Sequence, residues 1–194
     1  MLQRRQHNRI FSLKATNRER LIKHEDMERE LVTHFKDLLT EPLPNLQAAI
    51  QKINEHIPRV ITREKNLALL RAVTLQEVEE VVLNLPKNKS LGPDGFTSEF
   101  FKAAWPFIGP DILEVVEESQ RNMMGYPALN ATFLTLIPKQ QNADTLVGFR
   151  PISLYNVIYK ILSTIMVNRL EPLLPTLISP EQTGFVKGRQ SWME

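Results

Sequence analysis

The chain has 194 residues, 42% of them hydrophobic and 24% charged, enough apolar content to bury a core in one domain or in one domain with an appendage. It contains no cysteine, which excludes disulfides, thiolate nucleophiles and cysteine-ligated zinc. The net charge of +2 conceals a division: residues 1–40 carry 9 basic and 6 acidic side chains, residues 41–120 carry 8 and 12, and residues 121–194 carry 7 and 4. A basic excess at both ends fits either an anionic partner or an ordinary solvated surface. No apolar run approaches the ~18 residues of a membrane span, and "MLQRRQHNRIF" lacks the apolar centre of a secretion signal.

Residues 1–20 are basic and show no clear periodicity. Met27, Leu31, Phe35, Leu38 and Leu39 recur at helical spacing, which predicts an amphipathic helix over Glu25–Leu39. "TEPLPN", Thr40 to Asn45, ends it, because each proline removes a donor and disfavours helix before it. Residues 45–72 read as a thinly packed linker. "TLQEVEEVVLNLPKN" is a clearer helix. Thr74 and Glu77 form a capping box, Val78, Val81, Val82 and Leu85 form the apolar stripe, and Pro86 is the stop. The loop "NKSLGPDGF" leads into a short helix from about Thr97. Pro110 suits the first turn of a further helix with Asp111 near its positive end, and Gly125 suits its C-terminal stop.

"ATFLTLIPK", Ala131 to Lys139, is β-branched and aromatic and predicts a strand. A polar loop, "QQNADTLVG", leads to a second short strand at Phe149–Ser153, and the two can pair as a hairpin with a long, mobile tip. From Tyr155 to Leu170, residues Val157, Ile158, Ile161, Leu162, Ile165, Met166 and Leu170 mark one helix face, closed by Pro172 and Pro175. The tail "LISPEQTGFVKGRQSWME" is glycine-rich and basic. The fold class is therefore α/β (α+β), mostly helical, with a small antiparallel hairpin.

Three places could carry chemistry. Lys139 follows the first hairpin strand and Arg150 opens the second. A compact ammonium beside a planar, bidentate guanidinium suits a polyphosphate, although lysine is also common on hairpin edges that need no ligand. Gly92, Pro93, Asp94 and Gly95 form a turn that lets backbone approach a ligand closely, or simply reverses the chain. Gln182, Gly184, Phe185, Gly188 and Arg189 mix glycine, an aromatic ring and a cation, which suits a nucleic-acid backbone with a stacked base or is a plain surface loop. The phosphate-binding patterns G-x-x-x-x-G-K-S/T and G-x-G-x-x-G do not occur. His7, His24, His34 and His56 have no ligand spacing, and Ser153, Ser163 and Ser179 have no nearby histidine to support a triad. Trp105 and Tyr155 lie in apolar stretches and read as core or rim.

Taken in order, "NKSLGPDGFTSEFFKAAWPFIGPDILEVV", "LTLIPK", "FRPISLYNVIYKILSTIMVNRL" and "ISPEQTGFVKGRQ" resemble the N-terminal, fingers half of a non-LTR (LINE-type) retrotransposon reverse transcriptase. The resemblance covers about Leu75 to Gln190, and Arg5–Leu39 resembles the linker between that element's endonuclease and polymerase. It implies a division into 1–72, a helical linker region; 73–190, a partial reverse transcriptase domain of truncated right-hand fingers; and 191–194, a divergent tail. Lys139 and Arg150 then correspond to the groups that hold the incoming deoxynucleoside triphosphate. Gly92, Pro93, Asp94, Gly95, Gln182, Gly184, Phe185, Gly188 and Arg189 lie on the template and primer side, with Asn156 and Lys160 as lesser candidates.

The same resemblance implies an RNA template and a DNA primer as partners, a nuclear location, and Mg²⁺ held on palm aspartates in the complete enzyme. The chain has no aspartate after Asp144, so it assigns no catalytic residue and no metal ligand, and polymerase activity is not expected of this chain alone. No membrane partner is expected. Without a palm to pack on, the apolar face of 155–170 is expected to invite self-association. The alternatives are a non-catalytic nucleic-acid-binding module and a helical fragment whose residues 21–85 bind a protein partner.

Overall fold

A computed structural model describes residues 10–15, 17–40, 46–56, 60–122, 129–140, 143–182, 184 and 186–189. The fold is mostly helical with two small antiparallel strand pairs. The chain divides into two compact units, residues 1–57 with 134–153 and residues 58–133 with 154–194.

The first unit opens with a hairpin that the basic N-terminal stretch does not announce. Strand β1 (Leu13–Lys14) pairs with β2 (Arg20–Leu21), Leu13 opposite Leu21. The turn contains no glycine. Arg18 takes a φ of 71°, and the Asn17 side chain accepts from the Glu19 N–H, a local bond that steadies an otherwise uncommon backbone. Helix α1 (His24–Thr40) follows, longer by one residue at each end than its periodicity predicts. Only its first half is packed. Met27 is buried and Leu31 lies against the same core, whereas Leu38 and Leu39 are exposed. The stripe is thus continuous in sequence but not in burial. The proline segment after Thr40 lies outside the described residues.

The span 45–72, expected to be thinly packed, carries helices α2 (Leu46–His56) and α3 (Arg63–Leu70). Leu46, Ile50 and Ile53 on α2 and Leu67 and Leu70 on α3 remain exposed. The segment is helical yet lightly packed. Its weak pattern reflects helices without a buried face rather than the absence of helix.

Strands β3 (Thr132–Pro138) and β4 (Phe149–Tyr155) form the predicted hairpin, the second strand two residues longer than expected. Its tip is held in place. The Asp144 carbonyl accepts from the Lys14 N–H, and Lys14 bridges to Thr145. Leu146, at the start of a single 3-10 turn (Leu146–Gly148), packs with Ala143 against a core of Leu13, Met27 and Phe149. This anchoring to the N-terminal hairpin, which sequence patterning did not reveal, holds residues 143–148 of the loop expected to be a long, mobile tip; Gln141 and Asn142 lie outside the described residues.

The second unit contains the larger core. Helix α4 (Leu75–Asn84) is capped as predicted. The Thr74 hydroxyl accepts from the Glu77 N–H at 3.2 Å. All four stripe residues are buried, Val78 and Val82 completely. Burying a valine or isoleucine side chain contributes about 1.5–3 kcal/mol, so this stripe is a principal source of stability.

Helix α5 (Ser98–Asn122) corrects the expectation of two helices, because it runs unbroken through Pro106 and Pro110. Both prolines are exposed, four residues apart on one face, so the carbonyls they leave unpaired can bond water. The opposite face carries Phe101, Trp105, Ile112 and Val116 into the core, which holds the helix together across both breaks. The Trp105 indole N–H donates to Glu79 at 2.8 Å. Gly125 lies outside the described residues. Helix α6 (Val157–Leu170) completes the core with Val157, Ile161 and Ile165, Ile158 and Leu162 packing beside them. Met166 and Leu170, predicted on the same face, are 63% and 39% exposed. A 3-10 turn (Glu171–Leu173) and a short helix α7 (Leu174–Leu177), each with a proline in its first turn, close the segment.

Candidate nucleotide and nucleic-acid site

The hairpin register decides where its two cations lie. The Lys139 N–H donates to the Gly148 carbonyl at 2.8 Å, which sets Lys139 opposite Gly148 and Arg150 one diagonal step away. Side chains alternate along each strand, so Lys139 and Arg150 share one face. Leu136 and Phe149 take the other face and enter the core. Diagonal neighbours have side-chain origins about 7–8 Å apart, a span one polyphosphate can bridge. Both cations are exposed. The Lys139 ammonium donates to the Val147 carbonyl at 2.7 Å, which fixes its stem while leaving two N–H bonds for a ligand. No hydrogen bond or ion pair engages the Arg150 guanidinium among the described residues.

In the second unit the turn at Gly92–Gly95 meets the first turn of α6. The Gly95 N–H donates to the Gly92 carbonyl, and Gly95 takes a φ of +74°. Asn156, buried to 6% exposure, accepts the Asp94 N–H on its side-chain oxygen at 3.2 Å. Gly92 presses so closely on Asn156 that an added Cβ would stand 2.3–2.6 Å from its atoms. Lys160, one turn further along α6, donates to the Ser90 carbonyl at 3.1 Å. Asn156 and Lys160 therefore hold the turn rather than stand free beside it. Within the turn, the Asp94 carboxylate accepts from the Phe96 N–H, and Pro93, Asp94 and Gly95 are exposed.

The tail is organised around Arg189. Its guanidinium donates to the carbonyls of Pro175, Ile178, Ser179 and Gln182, so Arg189 is drawn back onto residues 175–182. Gly188 takes a φ of +80°, and the Arg189 N–H donates to the Val186 carbonyl. Gly184 and Gln182 are exposed and Val186 is buried. Phe185 lies outside the described residues. A guanidinium bound by four carbonyls has few donors left for a phosphate, so Arg189 acts on whatever the loop meets by shaping it.

Sequence reading missed Arg169, whose side chain is only 10% exposed. It makes a bidentate pair with Glu77, both bonds 2.8 Å, and donates to the carbonyls of Leu69, Arg71 and Ala72. The bond from Arg169 is the main reason that the Glu77 carboxyl is held below its ordinary value. A single arginine in the last turn of a helix carries no pattern that would expose this role.

No group of three or more His, Asp or Glu side chains is arranged to hold a metal among the described residues. Asp94 is engaged by its own turn, Asp144 lies at the hairpin tip and Asp111 on α5. These residues do not fit a two-Mg²⁺ site. No helix is long and apolar enough to cross a membrane among the described residues.

No family model matches the chain. Over 161 residues, 83% of its length, the chain is 32% identical to the transposon TX1 uncharacterized 149 kDa protein of Xenopus laevis. That likeness points to a retrotransposon-related origin. The chain spans 12% of that protein's length.

Proposed function

We propose that this chain is part of the fingers of a non-LTR (LINE-type) retrotransposon reverse transcriptase, and that its β3–β4 hairpin grips the triphosphate of an incoming deoxynucleotide. The observation that supports this best is the register, which gives Lys139 and Arg150 one exposed face of the hairpin. Arg150 would meet phosphate oxygens through two parallel N–H bonds, and Lys139 would add a compact charge. Phosphoryl transfer gains chiefly from positioning and charge stabilisation, so such cations contribute without forming a bond to the substrate.

In this reading the turn at Gly92–Gly95 and the tail at Gln182, Gly184 and Gly188 face the RNA template and DNA primer. Asn156, Lys160 and Arg189 position them. Among the described residues no group of carboxylates gathers for the two metal ions, and the contribution proposed for this chain is grip and alignment. Primer extension by the chain alone is not expected, and extension above background that is abolished by Lys139→Ala would overturn this part.

The direct test follows backbone amide shifts while a deoxynucleoside triphosphate is titrated into the native chain and into a Lys139→Ala/Arg150→Ala variant. Charge-assisted hydrogen bonds contribute about 1.5–3 kcal/mol each, so the double variant should bind at least about tenfold more weakly. Shifts should centre on residues 139 and 148–150. Shifts elsewhere, or equal affinity in the two proteins, would contradict the clamp.

A further inference from the structure

The outer face of α5 belongs to none of the sites described above. Ala103, Pro106, Phe107, Pro110, Asp111 and Glu114 follow one another at helical spacing along that face, and all six are exposed. The core residues Phe101, Trp105, Ile112 and Val116 take the opposite face. Phe107 is 83% exposed, the barest large apolar side chain among the described residues. A single exposed ring needs no explanation, but here a ring, two prolines and an alanine are contiguous. The prolines add acceptors to the patch. Proline has no N–H, so the carbonyls of Lys102 and Pro106 lose the donor that an ordinary helix residue would give them.

Toward its C-terminal half the same face is acidic. Residues 103–120 contain four carboxylates, Asp111, Glu114, Glu117 and Glu118, and no lysine or arginine. Glu114 stands three residues from Asp111 and Glu117 and four from Glu118, spacings at which like charges on a helix repel. The cations of the surroundings are turned to other partners. Lys102 donates to the Leu85 carbonyl at 2.6 Å, and Arg121 donates back to the Glu117 carbonyl. Of the elements packed on α5, helix α4 carries no cation, and on α6 Lys160 donates to Ser90 and Arg169 pairs with Glu77. Arg71, whose carbonyl accepts from Gln120 of α5, also pairs with Glu77. Lys87 and Lys89 belong to the turn tied to Ser98 and Glu99, about two helical turns before Phe107.

We propose that this face docks a basic, arginine-bearing segment of a protein partner. An arginine can lay its guanidinium plane on the bare Phe107 ring, and its N–H groups suit the carbonyls of Lys102 and Pro106. Further cations of the segment would meet Asp111 and Glu114, and its apolar side chains would cover the prolines. Charge complementarity selects this occupant. Nucleic acid would bring phosphates against four carboxylates, and the same face of a second copy would bring carboxylate against carboxylate.

The test titrates the full chain into a dye-labelled peptide of alternating arginine and leucine, blocked at both ends, and follows anisotropy. Native protein should bind it, less tightly as salt rises. Phe107→Ala should bind about fivefold more weakly through loss of the guanidinium–ring contact, with an unchanged melt because the ring is exposed. Asp111→Asn/Glu114→Gln should weaken binding about fivefold and flatten its salt dependence. Lysine in place of arginine in the peptide should weaken binding to the native protein but make little difference to Phe107→Ala. A peptide with glutamate in place of arginine should not bind. No binding of the arginine peptide by the native chain, equal binding of the glutamate peptide, or native affinity in both variants would overturn the proposal. Tighter binding of single-stranded RNA that Phe107→Ala abolishes, or a dimer in sedimentation that Phe107→Ala dissolves, would also overturn it, since each names a different occupant.

Discussion

At the scale of single residues, the candidate site depends on close approach more than on charge. Gly92 is the sharpest case. Its Cα lies so near Asn156 that a methyl group would overlap backbone atoms that cannot move without shifting α6. We expect Gly92→Ala to destabilise the second unit by about 2–3 kcal/mol, the usual cost of overpacking against backbone, read as a lowered melting temperature. An unchanged melt would mean that the turn does not seat on Asn156. The turn "GPDG" stood out in the sequence, whereas Asn156 entered separately, as a lesser candidate implied by the family resemblance. What the sequence could not display was their contact, because the partners are 62 residues apart and the bond is one side-chain oxygen to one N–H. The Lys139–Arg150 pair was legible for the opposite reason: a hairpin register follows from local alternation. Arg189 was legible as a cation but not as a bracket for four carbonyls, since nothing in its neighbours specifies where the tail folds back.

At the scale of elements, α4 and α6 are joined by Glu77 and Arg169. Thr74 caps α4, Glu77 in its first turn accepts both arms of the guanidinium, and Arg169 also donates to carbonyls at and just after the end of α3. Arg169→Ala would take the bidentate donor from a half-buried carboxylate and leave the Leu69 and Ala72 carbonyls without theirs, and we expect it to cost about 3 kcal/mol by denaturant melt. Glu77 has its carboxyl pushed below the ordinary range when folded, chiefly by Arg169. A lowered folded value means that the contribution to stability is complete above the unfolded value and is lost as the pH falls through the folded one. Acid titration of the native protein should show that loss, and the Arg169→Ala variant should lack most of it. Equal acid sensitivity in both would contradict the pairing. The elements themselves were largely readable, with α5 the exception. Its prolines promised a break, and burial on the opposite face overrode them.

At the scale of the whole molecule, each unit has its own core and the two differ greatly. The first is centred on Leu13, Met27 and Phe149, the second on twelve buried residues from α4, α5 and α6 and their flanks. Local opening free energies follow apolar burial, so amides of α1 should exchange with solvent about a hundredfold faster than those of α4. Equal protection in both helices would contradict two separate cores. The N-terminal part of the first unit was the less legible because strands β1 and β2 are two residues long and their turn lacks glycine. The hairpin with the proposed clamp belongs mostly to this smaller unit, which also supplies the segment that pins its tip.

The central claim is that this chain is a nucleic-acid-handling fingers fragment with a phosphate grip at Lys139 and Arg150. Its most direct test is fluorescence anisotropy on a labelled RNA–DNA primer–template, at two salt concentrations, with native protein beside Lys139→Ala/Arg150→Ala. The account predicts binding that weakens as salt rises, and further loss with a smaller salt slope in the double variant. Salt-independent binding, or native and variant proteins that bind alike, would contradict it.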